Sequence, residues 1–339
     1  MTALTLEQLG ALTAYLREVG EPVAGPLSAT LVAGGRSNLT YRLTDGASAW
    51  ALRRPPTGAL IESAHDVARE HRVVSALRDT AVPVARTVAC DPDGVVVGVP
   101  ISVVAWVDGR TIRSREDVEA WAPDDFRSCA DGLVEALVAI HTVDPDAVGL
   151  GDLGRPGGYA ARQLRRWSGQ WERMAAADPR ADRLHAVLVE RVPVQDRTTV
   201  VHGDYRVDNV MLDGADSGRI RAVVDWELST LGDPVADVAT MCAYRHPALD
   251  GVLGVRAAWT DPRFAAPDEL RDAYESRAGQ RLPAFGFHLA LAFYKLAVIA
   301  EGIAYRHRAG ATSGEGYDAV AATVPVLLEA GLEVAGRNE

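Results

Sequence analysis

One run, His202-Gly203-Asp204-Tyr205-Arg206-Val207-Asp208-Asn209, puts a carboxylate five residues ahead of a carboxamide at the entrance to an apolar segment, Val210-Met211-Leu212. A turn through Asp213-Gly214 to Ser217-Gly218 leads into a second apolar run, Ile220 to Val224, which ends in Asp225. If the two runs pair as antiparallel strands, Asn209 and Asp225 face each other at the open end of the hairpin, within ~5 Å between neighbouring backbones. Two oxygen ligands, completed by phosphate oxygens of a substrate, suit Mg2+, which keeps its waters and seldom has an all-protein cage. Asp204, on the loop that enters the hairpin, is placed to take the proton of an attacking hydroxyl. A base, a carboxamide and a metal-binding acid at these intervals spell phosphoryl transfer. The competing reading is a surface turn in which Asp and Asn cap backbone groups.

These groups need a frame. Leu6, Leu9, Leu12, Leu16 and Val19 recur at helical spacing behind a Thr5-x-x-Gln8 capping box, and Gly20 stops the helix. From Leu27 to about Val107 the texture is short β-rich runs punctuated by glycine. Leu39, Tyr41 and Leu43 alternate with polar positions, Trp50 to Arg53 follows Asp45-Gly46, and Val95 to Val97 and Ile101 to Val104 lead into Asp108-Gly109. One helix, about Ser63 to Leu77, interrupts them. The rest is helical apart from the hairpin near residue 215, with the Gly/Pro-rich stretch Asp144 to Gly158 as a loop. The order predicts an α+β protein: a small β-sheet lobe with one key helix, residues 1–105, and a larger, mainly helical lobe, residues 106–339.

Acidic residues number 46 against 35 basic, a net charge of −11, so there is no broad basic field for nucleic acid or an anionic membrane, and any phosphate site is local. The 48% hydrophobic and 24% charged content matches folded globular chains and excludes disorder. Cys90, Cys129 and Cys242 are far apart with no C-x-x-C pair, which fits a reducing, cytoplasmic setting without disulfides or a zinc ribbon. No signal-peptide pattern opens the sequence. The most apolar stretch, Phe285 to Tyr305, is interrupted by His288, Lys295 and Glu301 and reads as a buried helix, not a membrane span. Lys295 is the only lysine.

The H-G-D-x-x-x-x-N run and the V-V-D-W-E segment at Val223 to Glu227 resemble the motifs of the aminoglycoside phosphotransferase and choline kinase family, whose fold is bilobal and protein-kinase-like. The likeness covers almost the whole chain. Gly34-Gly35-Arg36-Ser37-Asn38-Leu39-Thr40-Tyr41, Leu52-Arg53-Arg54-Pro55-Pro56 and the stretch Val148 to Trp171 look like the branch fused to acyl-CoA dehydrogenase domains in some relatives. By that resemblance ATP is the donor, Asp204 the base, and Asn209 and Asp225 the Mg2+ ligands. Gly34, Gly35, Ser37 and Asn38 stand where the fold has its phosphate-covering loop; a Gly-Gly turn by itself is only a hairpin. Ala51 and Arg53, two apart on one strand face, match the small residue over the adenine and the cation on the α- and β-phosphates. The family usually has lysine here; arginine keeps the charge but forks with a different reach. Glu70 matches the glutamate that orients this cation, its alternative being a solvated helix-face carboxylate. Val104 and Trp106 fall in Val103 to Val107, which matches the interlobe hinge whose backbone bonds the adenine, with Ala105 replacing the usual acidic residue.

Gly203 stands where protein kinases carry the arginine that docks a phosphorylated activation loop. Only seven residues separate Asp225 from Asp233, where Asp233 as N-cap and Pro234 open the next helix. No peptide platform fits there, so a small-molecule hydroxyl is the expected acceptor. His202 could serve as a base, but the resemblance implies a packing and hydrogen-bonding residue; Glu227 reads as either metal-assisting or solvated, and Asp233 and Asp237 as caps and braces of their helix. Arg162, Arg165, Arg166 and Arg173, interleaved with Trp167 and Trp171, form either an anion-binding edge or a solvated face over packed tryptophan. The expected reaction moves the γ-phosphoryl group of ATP to a small-molecule hydroxyl, first of all that of a hydroxyacyl-CoA or hydroxy acid. The alternatives are an aminoglycoside or amino-alcohol kinase, a non-catalytic nucleotide-binding module, and a metal-dependent phosphoesterase, which lacks its G-N-H run. The sequence leaves the oligomeric state open.

Overall fold

The computed structural model describes residues 3–33, 38–55, 66–174, 177–310 and 317–337. It divides into two compact units, Met1–Gly109 with Arg221–Ser229, and Arg110–Ile220 with Thr230–Glu339. The expected boundary after residue 105 thus moves to 109, and the segment carrying Asp225 groups with the first unit. The reason is local bonding: Val223 N–H donates to the Pro83 carbonyl at 2.8 Å, and Arg69 Nη2 donates to the Ser229 carbonyl at 2.6 Å.

The first unit opens with helix α1 (Leu6–Glu18), whose Thr5 and Gln8 cap each other reciprocally at 3.0 and 3.1 Å. Strands β1 (Ser28–Ala33), β2 (Leu39–Thr44), β3 (Ala49–Arg54), β4 (Thr87–Asp91) and β5 (Ile101–Ala105) form one antiparallel sheet in the order β1-β2-β3-β5-β4. The β2–β3 turn closes because Asp45 Oδ1 accepts the N–H groups of Ala47 and Ser48, while Gly46 takes φ 91°. Strand alternation sends Trp50, Leu52 and Arg54 to the buried face and leaves Ala51 and Arg53 together on the other. Leu12 and Leu16 of α1 pack with Leu43, Trp50, Leu52 and Val103 as the core of this unit. Helix α2 (Val67–Leu77) is N-capped by Asp66; residues 63–65 of the expected helix lie outside the described residues. The predicted strand at Val95 to Val97 is a turn instead. Asp91 Oδ2 takes the Val96 N–H at 2.7 Å and Gly98 N–H bonds the Gly94 carbonyl, so the strand forms earlier, at β4.

The second unit is largely helical: α3 (Pro123–Thr142), α4 (Tyr159–Arg173) and α5 (Pro179–Glu190) precede the short strands β6 (Thr199–Val201) and β7 (Val210–Leu212). The chain leaves this unit within β8 (Ile220–Val223) and returns at β9 (Thr230–Gly232), which pairs with β6. Then come α6 (Pro234–Ala243), α7 (Leu249–Leu253), α8 (Pro267–Ala278), α9 (Phe285–Arg308) and α10 (Tyr317–Gly336). The turn after β7 is closed by Asp213 N–H on the Arg219 carbonyl at 2.9 Å. Gly132 of α3 lies so close to it that a Cβ there would fall 2.1 Å from the Gly218 carbonyl oxygen. Helix α9 is long and apolar enough to cross a membrane, as is Ala319–Gly336, but two thirds of the most apolar 18-residue stretch of α9 is buried, and the helix packs against α4, α5, α6 and α10. On α4, Trp167 and Trp171 are buried while Arg165, Arg166 and Arg173 are exposed, the arrangement of a solvated face over packed rings.

Candidate active site

In the first unit, one guanidinium joins two carboxylates. Arg53, on the open face of β3, pairs through Nη1 with Glu70 of α2 and through Nη2 with Asp225 Oδ1 at 3.1 Å. The Trp226 N–H also donates to Glu70 Oε1, at 3.3 Å. Glu70 is therefore a buried partner, not a solvated helix-face group. Burial pushes its carboxyl up, against the pull of Arg53, and burial likewise works against the charge on Arg53, but Glu70 and Asp225 hold that guanidinium above its usual value. Side-chain exposure is 8% for Glu70 and 29% for Asp225, so only the latter keeps a face open to a ligand. Asp225 also has φ 66°, a left-handed backbone that is costly for a residue with a Cβ and that aims its side chain.

In the second unit, the loop between β6 and β7 is held from three sides. The N–H groups of His202 and Gly203 donate to Asp237 of α6 at 2.5 and 2.8 Å. His141 of α3 lies 3.4 Å from the same carboxylate through Nε2, its Nδ1 being 2.8 Å from the Tyr274 hydroxyl. Lys295 Nζ of α9 donates to the Gly203 carbonyl at 2.8 Å, and the Tyr205 hydroxyl to the Leu133 carbonyl at 2.8 Å. Burial alone would raise the Asp237 carboxyl; the bond from His141 reverses this and holds it below the usual range. Burial lowers the Lys295 ammonium in spite of Asp204 and Asp237.

Asp204 follows this pinned peptide. Asn209 Nδ2 donates to its carbonyl at 2.8 Å and to its Oδ2 at 3.0 Å, and the Tyr244 hydroxyl donates to Oδ1. Arg206 Nε lies 3.6 Å from Oδ2, with Nη1 2.7 Å from Asp208. Burial raises the Asp208 carboxyl over the opposing pull of Arg206. The amide hydrogens of Asn209 thus face Asp204, which leaves Oδ1 as its ligand oxygen.

Among the described residues no group of three or more His, Cys, Asp or Glu side chains is arranged to hold a metal ion. Asn209 in one unit and Asp225 in the other each offer oxygen, the atom type that Mg2+ takes alongside phosphate and water.

The sequence expectations divide. The structure joins Asp204 to Asn209 in one unit and Arg53, Glu70 and Asp225 in the other. Gly34, Gly35 and Ser37 lie outside the described residues. Asn38 is 5% exposed and neither of its side-chain amide atoms has a partner among the described residues. Ala51 shares the face of Arg53 as expected. The hinge expectation at Val104 and Trp106 is narrowed, because Ala105 N–H is used by the Arg86 carbonyl (2.8 Å) and Trp106 N–H by that of Ala49 (3.1 Å). Asp233 caps α6 through the Val235 N–H, as predicted, but Asp237 braces the loop at His202 rather than its own helix. His202 is fully buried beside Tyr205, a packing residue. Sequence reasoning missed Tyr244 and His141 and gave Lys295 no task. Its solitude among 35 basic residues was the one available signal.

A family model described as the phosphotransferase enzyme family matches residues 28–275. Acyl-CoA dehydrogenase family member 11 of Gallus gallus is 34% identical over 325 residues, 93% of this chain but 41% of that protein. The same-named protein of Rattus norvegicus is 32% identical over 337 residues, 96% of this chain and 43% of its own length, so the chain spans less than half of either relative. A structure from Ralstonia eutropha, provisionally assigned as an aminoglycoside phosphotransferase, matches at TM-score 0.83 and 33% identity, over 96% of this chain and 97% of that one. Given a family model that covers most of its length, this chain belongs to the phosphotransferase enzyme family.

Proposed function

We propose that this protein transfers the γ-phosphoryl group of ATP to a hydroxyl of a small molecule. The observation that carries the reading is Asp204: its side chain is 22% exposed, it is oriented by Asn209, and it sits on a loop pinned by Asp237 and Lys295. In this reading Asp204 orients the acceptor hydroxyl and takes its proton. Asn209 and Asp225 are the residues that would hold Mg2+, which would supply charge neutralisation for the phosphates. Arg53, oriented by Glu70, forks onto donor oxygens in place of the usual lysine.

For the acceptor we propose a hydroxyacyl-CoA or hydroxy acid. Likeness to acyl-CoA dehydrogenase family member 11 supports this. The test is a panel of hydroxyacyl-CoAs, hydroxy acids, choline-like alcohols and aminoglycosides, each incubated with protein and Mg-ATP and scored by the mass gain of phosphate. Phosphorylation of the hydroxyacyl compounds, abolished in Asp204→Asn, is expected; phosphorylation of aminoglycosides alone would overturn the acceptor assignment.

A further inference from the structure

Helix α6 touches the loop twice. Asp237 takes the His202 and Gly203 N–H groups, and Tyr244, two helical turns later and therefore on the same face, donates its hydroxyl to Asp204 Oδ1. The Tyr244 ring is 5% exposed and sits under Arg206, whose Cζ is 5.4 Å from the ring centroid, so the hydroxyl has little freedom to leave. Burial and the neighbouring Asp204 raise the phenol well above its usual range, which keeps it an O–H donor.

A carboxylate oxygen accepts about two hydrogen bonds. Oδ2 of Asp204 is engaged by Asn209 and faces Arg206, so Oδ1 is the oxygen left for an incoming hydroxyl, and Tyr244 fills one of its two positions. A single further O–H donor can approach there. We propose that Tyr244 is a specificity-determining residue that narrows the approach of water to Asp204, its hydroxyl filling one of the two positions on Oδ1 and leaving the other for the acceptor. Without it, both positions on Oδ1 are open to water, where the wild type leaves one. A water there attacks: its oxygen bonds the γ-phosphorus of ATP, the β–γ bridging P–O bond breaks with its electron pair leaving on ADP, and the proton passes to Asp204. The outcome is hydrolysis instead of transfer.

The inference rests on Asp204 as the base, and the experiment separates the two. The wild-type chain, Tyr244→Phe, Tyr244→Met and Asp204→Asn are given Mg-ATP with no acceptor, and ADP release is measured alongside thermal unfolding. Phenylalanine keeps the ring under Arg206 and removes only the hydroxyl. Acceptor-free hydrolysis in Tyr244→Phe should rise about fivefold or more, the methionine variant should rise as well, and Asp204→Asn should abolish hydrolysis. A merely structural tyrosine would lower hydrolysis or leave it alone. If Asp204→Asn is inactive while both folded Tyr244 variants hydrolyse ATP no faster than wild type, the specificity role falls and the base survives. If Asp204→Asn hydrolyses ATP like wild type, both fall together.

Discussion

Lys295 Nζ lies 2.8 Å from the carbonyl oxygen of Gly203, so the chain's only lysine holds the peptide immediately before Asp204. Gly203 takes φ 82° at this point, a left-handed conformation that turns its carbonyl toward α9. Lys295→Met keeps the length and apolar stem but leaves that carbonyl without its donor. We expect a stability loss of about 1–3 kcal/mol by urea unfolding and a fall in kcat of about tenfold, with the KM for ATP nearly unchanged.

Arg53 separates two carboxylates, and its removal leaves Glu70 buried without its cation. Arg53→Met should therefore lower kcat/KM for Mg-ATP by about a hundredfold or more, because charge and fork are both lost. Arg53→Lys restores charge alone and should retain more activity than the methionine variant. Adding Glu70→Gln to Arg53→Met should cost far less than Glu70→Gln costs in the wild type, the non-additivity expected of a coupled pair.

Asp237 gathers two backbone N–H groups and a histidine, and an asparagine there would turn an amide against one of those donors. Asp237→Asn should cost about 3 kcal/mol or more and abolish activity. The sign with pH follows from its lowered carboxyl. Its contribution is fully present above the ordinary value of 3.8 and is lost as pH falls through the lower folded value, so the variant should lack that part of the wild-type acid transition.

His288 Nε2 lies 3.5 Å from Asp233 Oδ2, and burial moves the pair in opposite directions: Asp233 up from 3.8 to about 6, His288 down from 6.5 to about 4. Between those limits folded Asp233 binds a proton that the unfolded chain has lost, so its contribution falls as pH rises. Unfolded His288 binds a proton that the folded form lacks, so its contribution rises with pH. The slopes oppose each other. Asp233→Asn, which retains an N-cap, should show a urea midpoint that climbs from pH 4 to 6.5 more steeply than that of wild type.

Two helical glycines should respond oppositely to alanine. A Cβ on Gly10 of α1 meets nothing within 4 Å, so Gly10→Ala should stabilise by up to about 1 kcal/mol. A Cβ on Gly132 would meet the Gly218 carbonyl, so Gly132→Ala should destabilise by about 1–3 kcal/mol and displace the turn after β7. Thermal unfolding of the two variants against wild type checks both.

What could be read along the chain was whatever neighbouring residues decide among themselves. The Thr5–Gln8 cap, the Asp45-Gly46 turn, the shared face of Ala51 and Arg53, and the interval from Asp204 to Asn209 all depend on residues within a few positions of each other. Period-two alternation and local hydrogen bonding are enough to specify them. The strand at Thr87–Asp91 is the local exception: Val95 to Val97 has the apolar texture, but the Asp91 carboxylate and two glycines bend it into a turn. The three-residue strands β6 and β9 carry too short a pattern to read at all.

The supports of Asp204 are of another kind. His141, Asp237, Tyr244 and Lys295 come from three helices, and no local pattern distinguishes them from other polar residues on helices. Their meeting at one loop follows from how α3, α6 and α9 bury their apolar faces. Likewise, Glu70 becomes a buried partner of Arg53 only because α2 packs its charged residue inward against a segment from more than 150 positions later in the chain. The sequence by itself determined which groups could do chemistry and the strands and turns that carry them. Tertiary packing alone decided which distant side chains satisfy and aim those groups, because burial energy is collected across the whole chain while propensity and spacing act only between neighbours.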